Sequence, residues 1–254
     1  MDALFPFLTP ALIGLALSIA FCAGLVKGVV GFAMPLVLIS GLTFFLPPEL
    51  ALAGLILPTL FSNLFQALGQ GGRAAWQSIR QFRVFLIAGG ITLVIAAQMV
   101  RSVPDAVLQL AIGLPTVAYA LVQLGGLRFR LSRRSPRLEA AVGALAGLMG
   151  GVSGVWGPPT VMYLTALDTP KHDQLRIQGV IYGAGSVALV AAHLGSGVLR
   201  TETIPFSVAL VPAALFGMWV GSRIVSRIDQ AMFKRATLIV LLVAGANLVR
   251  RALF

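Results

Sequence analysis

Residues 24–35 read GLVKGVVGFAMP and place a lysine, three glycines and a proline inside a run that is otherwise almost wholly apolar from Leu12 to Leu46. An ammonium group at mid-bilayer costs roughly 2.5–3.5 kcal/mol on insertion scales. Lys27 is therefore expected to face a cavity, a partner or a substrate, unless the site is shallow enough for the side chain to snorkel to an interface. The glycines and the proline offer a second kind of chemistry. Gly28 and Gly31 weaken a helix, whereas Pro35 cannot continue one from before it but suits the first turn of a new one. A helix that begins inside the membrane presents unpaired N–H groups and about half a positive charge. In low dielectric that favours an anion. Pro35 has no N–H, so the donors expected here are those of Phe32 and Ala33, close to Gly31.

Residues 147–158, GLMGGVSGVWGP, repeat the pattern. An offset of 123 lays Gly24, Leu25, Gly28, Val29, Gly31 and Pro35 on Gly147, Leu148, Gly151, Val152, Gly154 and Pro158, and Pro47 on Pro170. Gly154, Val155 and Trp156 are the corresponding backbone candidates, and Ser153 can add a hydroxyl. Gly150 stands opposite Lys27, so a site shared by both stretches is asymmetric. A lone GxxxG would indicate close helix packing. Breaks at matching places, each ending in proline, read instead as paired discontinuous helices.

Other polar groups lie on neighbouring runs. Asn63 and Gln66 share a helix face, with Thr59 one turn earlier. Under the same offset Thr59 corresponds to Tyr182 and Asn63 to Ser186. This stripe suits a pathway; hydrogen bonding between helices is the alternative. Arg176 could grip an oxyanion in bidentate fashion or serve as an interfacial charge that sets topology. His193 can carry a proton near neutral pH or be a hydrogen-bonded structural residue. The single cysteine, Cys22, reads as a small buried apolar residue and excludes both a disulfide within the chain and a cysteine metal site.

The elements that must hold these residues follow from composition. Of 254 residues 58% are hydrophobic and 11% charged, and the mean hydropathy is +0.94. That leaves too little polar surface for a soluble domain, and runs of roughly 20 apolar residues recur throughout, as spanning helices require. Long continuous runs argue against a transmembrane β-barrel. The net charge of +11 would suggest nucleic acid in a soluble protein, but the arginines cluster in short loops, the positive-inside pattern. The apolar segments are about 10–26, 31–46, 49–68, 83–100, 105–124, 139–152, 155–167, 178–195, 204–222 and 231–249. The linker GGLRFRLSRRSPR, with five arginines, divides the chain.

If 10–46 and 139–168 are hairpins that return to their own side, fourteen of the Lys and Arg residues fall on the linker's side and four on the other. If each broken region crosses once, the division is eleven to seven. Positive-inside prefers the hairpins. Each half then has three further crossings, an odd number, and the halves are inverted relative to each other with both termini outside. The fold expected is an all-α polytopic membrane protein with two homologous halves as an inverted repeat, each a broken helix hairpin plus three transmembrane helices. The repeats are residues 1–127 and 138–254, joined by a basic cytoplasmic linker, 128–137.

The motif GLVKGVVGFAMP, its echo GLMGGVSGVWGP and the basic central linker resemble the TauE/SafE, or sulfite exporter, family of membrane transporters over nearly the whole chain. That resemblance implies transport of small anions such as sulfite, sulfoacetate and other organosulfonates. Phe32-Ala33-Met34 stands where some members carry more glycine.

The function expected is a secondary transporter of a small, sulfur-containing oxyanion, bound at mid-membrane between the two hairpins and moved by alternating access. The substrate-binding candidates are Lys27, Gly31, Phe32, Ala33, Asn63, Gln66, Ser153, Gly154, Val155, Trp156, Arg176 and Tyr182. An anion channel is the alternative, since half-helices also build pores. An intramembrane enzyme is disfavoured. There are two histidines and eight acids, the acids fall at run edges or in loops, and neither HExxH nor a Walker A pattern is present. The expected partners are a small anion and the lipid bilayer, without nucleic acid; proton coupling and a homodimer are left open. No cofactor or metal is expected, and the expected location is a bacterial inner membrane.

Overall fold

The computed structural model describes residues 9–99, 105–127, 130–131, 133–153, 156–195 and 197–253. Among these residues the regular structure is entirely helical. The order is α1 (Pro10–Val30), α2 (Met34–Leu42), α3 (Pro48–Leu68), α4 (Gly72–Gln81), α5 (Arg83–Met99), α6 (Asp105–Leu124), α7 (Pro136–Ser153), α8 (Gly157–Ala166), α9 (Lys171–Gly195), α10 (Ile204–Arg227) and α11 (Gln230–Leu253). Five helices, α1, α3, α9, α10 and α11, are long and apolar enough to cross a membrane, and six if α4 and α5, bent by 74°, form one span. Leu15, Phe65, Ile91, Phe216 and Val243 are large apolar side chains exposed on the bundle's outside, the surface a bilayer would cover.

Both breaks arise where the sequence punctuates the helix. Gly31 ends α1 in the left-handed region at φ 86°, its N–H donating to the Lys27 carbonyl at 2.7 Å. Ala33, also left-handed at φ 73°, leads into α2, with Pro35 in the first turn. In the second half α7 ends at Ser153, and α8 begins Gly157-Pro158-Pro159. Gly41 of α2 lies beside Ile19 of α1, so α2 folds back along α1. The Ala166 carbonyl at the end of α8 accepts from Leu131 N at 2.8 Å, so α8 likewise returns to the end from which α7 sets out.

Glycine sets the close packing. A Cβ on Gly24 would lie 2.0 Å from the Ala214 carbonyl oxygen, and one on Gly217 equally close to that of Phe21. Gly28 and Gly221 meet in the same seam between α1 and α10. In the other half Gly143 and Gly147 of α7 meet Phe85 and Gly89 of α5. Such small-residue contacts let membrane helices approach backbone to backbone. α3 packs on α9 and α6 on α11.

Several details differ from the sequence expectation. Gly28 and Gly151 lie within α1 and α7, and the first unwound backbone is confined to 31–33. Tertiary packing offsets the weak helix propensity of these glycines. Residues 72–81, which lie between the apolar segments 49–68 and 83–100, form α4. The charged stretch from Lys171 is already helical. Cys22 is exposed rather than buried, because Ala20, Ala23 and Gly24 fill the inward face of α1 at that level.

Candidate functional site

Both breaks open onto one pocket. Lys27, Phe32, Ala33, Pro35 and Leu36 line it from the first, and Trp156, Gly157 and Pro158 from the second; Thr59 and Asn63 of α3 and Tyr182 of α9 complete it. The atom-free space, including the mouth, is about 430 Å³. Thr59 and Tyr182 each lie one residue from the midpoint of their helix, so the pocket sits midway along the bundle.

Lys27 is 2% exposed. Its ammonium donates to Asn63 Oδ1, and no carboxylate pairs with it among the described residues. Asn63 Nδ2 in turn donates to the Tyr182 carbonyl at 3.1 Å, and Tyr182 OH to the Gly157 carbonyl at 3.2 Å. One polar chain thus runs from α1 through α3 and α9 to the start of α8, tying the two breaks together. Thr59 is buried, and its hydroxyl has no hydrogen-bond partner among the described residues.

The end of α1 leaves carbonyls without intrahelical N–H donors, and two glutamines satisfy them. Gln66 Nε2 donates to the Gly31 carbonyl at 3.1 Å and to that of Leu175 at 2.7 Å. Gln178, with its amide nitrogen turned toward α1, donates to Val30 and Gly31 at 3.2 and 3.3 Å. A side chain at Gly31 would strike Gln178. The first turn of α2 keeps the Met34 and Leu36 amides without an intrahelical acceptor. In α8 both Pro158 and Pro159 lack a donor, which leaves Gly157 and Thr160; the Thr160 hydroxyl closes the turn by donating to the Trp156 carbonyl at 3.1 Å. The Trp156 ring occupies a notch between Gly150 and Gly185, where added Cβ atoms would come within 2.6 and 2.9 Å of it.

Of the residues singled out from sequence, Lys27, Phe32, Ala33, Asn63, Trp156 and Tyr182 line the pocket. Gly31 and Gln66 hold the break's backbone. Arg176 lies apart from the pocket: its Nε donates to Ser78 Oγ at 2.9 Å and its Nη1 pairs with Asp173 at 2.9 Å, which fastens α9 to α4. Ser153 is the last residue of α7, its side chain outside the description; Gly154 and Val155 lie outside the described residues. Thr59 was legible as part of the polar stripe, whereas Gln178 carried no local signal for its role at Gly31. No group of three or more metal-ligating side chains occurs among the described residues.

A protein-family model described as Sulfite exporter TauE/SafE matches residues 16–248. No curated protein and no solved structure matches the chain.

Proposed function

The chain belongs to the TauE/SafE sulfite exporter family, and on that premise we propose that it is a secondary transporter of sulfite or a small organosulfonate, which binds in the pocket between the two breaks. The observation that carries this reading is Lys27, a buried ammonium whose partner is a neutral carboxamide. A buried charge without a counter-charge is strongly unfavourable, and an arriving oxyanion supplies that counter-charge. The unsatisfied Thr59 hydroxyl and the first amides of α2 add donors from two further directions. Phe32, Trp156 and Leu36 keep the walls apolar, which strengthens the attraction by lowering the local dielectric.

The proposed arrangement is an inverted repeat of residues 1–127 and 138–254, with 128–137 as a cytoplasmic linker. The offset of 123 carries α1 onto α7 and α5 onto α10, and the packing partners α1–α10 and α7–α5 exchange accordingly. Each hairpin returns to its own end of the bundle. Rocking of one half on the other around the shared pocket then gives alternating access. Reconstituted protein is expected to exchange labelled sulfite for unlabelled sulfite saturably across a liposome membrane. Flux that neither saturates nor responds to trans-sulfite identifies a channel and sinks the carrier mechanism.

A further inference from the structure

We propose that an anionic phospholipid binds at the basic end of the molecule, its phosphate among Arg133, Arg134 and Arg176 and an acyl chain in the slot between α6, α7 and α8. This site is separate from the transport pocket and does not rest on the reading of it.

Two cavities meet at this end. One, with about 710 Å³ of atom-free space including its mouth, lies between the linker, the end of α4 and the start of α9. Its lining carries the three guanidinium groups against one carboxylate, Asp173. Two of the arginines are already positioned. Arg134 Nη2 reaches the Gln81 carbonyl and Glu139 Oε2, each at 2.5 Å, with its guanidinium 4.2 Å from the centre of the Phe82 ring. Arg176 is held by Ser78 and Asp173. Arg133 is exposed and makes no ion pair or hydrogen bond to the described residues, so it is free to close on a phosphate. Guanidinium groups match phosphate oxygens in bidentate geometry.

The second cavity, about 790 Å³, is walled mainly by apolar side chains of α6, α7 and α8. Leu131 lines both cavities. Along α7 the slot runs from Leu138 to Met149, about 16 Å at 1.5 Å per residue, close to the depth of one leaflet of a hydrocarbon core roughly 30 Å thick. Leu145, halfway along it, is 52% exposed, so the slot opens on the bundle's outer surface. A free phosphate would use the arginines and leave the slot empty; a zwitterionic lipid would fill the slot with weaker hold on the arginines. An anionic phospholipid uses both, and basic pockets beside spanning helices are suited to such headgroups.

The test is the thermal midpoint of the full chain in detergent, titrated separately with phosphatidylglycerol, phosphatidylcholine and inorganic phosphate. Phosphatidylglycerol is expected to raise the midpoint saturably, the other two much less. Arg133→Gln should weaken the apparent affinity for phosphatidylglycerol about fivefold, the order expected of one basic residue near an anionic headgroup. Leu145→Trp, which fills the slot from its open side, should lower the affinity while leaving every arginine in place. Both positions are exposed, so each variant should keep the parent's midpoint in the absence of lipid. Arg73→Gln, an equal loss of charge at the exposed start of α4, should leave the affinity within twofold. Equal shifts with inorganic phosphate, equal shifts with phosphatidylcholine, equal losses in Arg73→Gln and Arg133→Gln, or unchanged affinity in Leu145→Trp would each overturn the proposal.

Discussion

The Lys27 side chain is 2% exposed and meets a carboxamide instead of a carboxylate, so its ammonium form lacks a counter-charge among the described residues. Hydrogen bonds to a charged group contribute about 1.5–3 kcal/mol. Lys27→Met is therefore expected to weaken sulfite binding about ten- to hundredfold, read as the sulfite concentration needed to raise the melting midpoint. Lys171 is the natural comparison. Its ammonium donates to the Val225 carbonyl at 2.9 Å and also to that of Ile228, which joins α9 to the end of α10 far from the pocket. Lys171→Met should lower stability yet leave sulfite affinity within twofold, and equal losses of affinity would remove Lys27 from the site. Thr59→Val separates binding from folding more sharply. The hydroxyl has no partner among the described residues, so its removal should leave the midpoint unchanged or raise it. If it donates to the anion, affinity falls about two- to tenfold, the equivalent of a neutral hydrogen bond worth about 0.5–1.5 kcal/mol. Thr59→Ser should retain the affinity.

The breaks are where local sequence and tertiary support divide the work. Glycine at 31 and proline at 35 and 158 can be read directly, because they act through backbone conformation and missing donors that no neighbour alters. What holds the first break open was not legible. Gln66 and Gln178 come from α3 and α9, and their role depends on helix packing that brings them to the same carbonyls. The place of Arg176 was open for a related reason: its partner Ser78 belongs to α4, a short helix among arginines that lacks the apolar length of a span. Gly31→Ala meets two obstacles, a left-handed φ of 86° and the Gln178 side chain. The conformation alone costs roughly 1–2 kcal/mol, so a fall in melting midpoint is expected. Gln178→Leu keeps the bulk but strips the Val30 carbonyl of its side-chain donor, at about 1–3 kcal/mol for a buried group left unsatisfied. Should Gln178→Leu melt like the parent, Gln66 alone is enough to hold the break.

At the scale of the whole molecule, charge and connectivity point the same way. The residues joined by Leu131–Ala166, Lys171–Ile228 and Arg134–Gln81 contacts gather at one end. Arg200 and Glu49, paired at 2.7 Å, mark the other. The arginine-rich linker lies at the first end, which the proposed topology puts in the cytoplasm, as positive-inside expects. The doubled motif is the ground for proposing two halves, but composition cannot say whether a broken helix crosses or turns back, since both forms bury similar apolar length. Single cysteines can. In a Cys22→Ala background, Ala11→Cys and Phe44→Cys stand at the start of α1 and just past the end of α2, Arg133→Cys and His172→Cys before and after the second hairpin, and Glu202→Cys between α9 and α10; all five positions are exposed. With hairpins, an impermeant maleimide labels Ala11→Cys, Phe44→Cys and Glu202→Cys in intact cells, whereas Arg133→Cys and His172→Cys react only after permeabilisation. A crossing at either break would instead separate Ala11→Cys from Phe44→Cys, or Arg133→Cys from His172→Cys. Such a split would give that half an even number of crossings, and the inverted relation proposed for the two halves would fall with it.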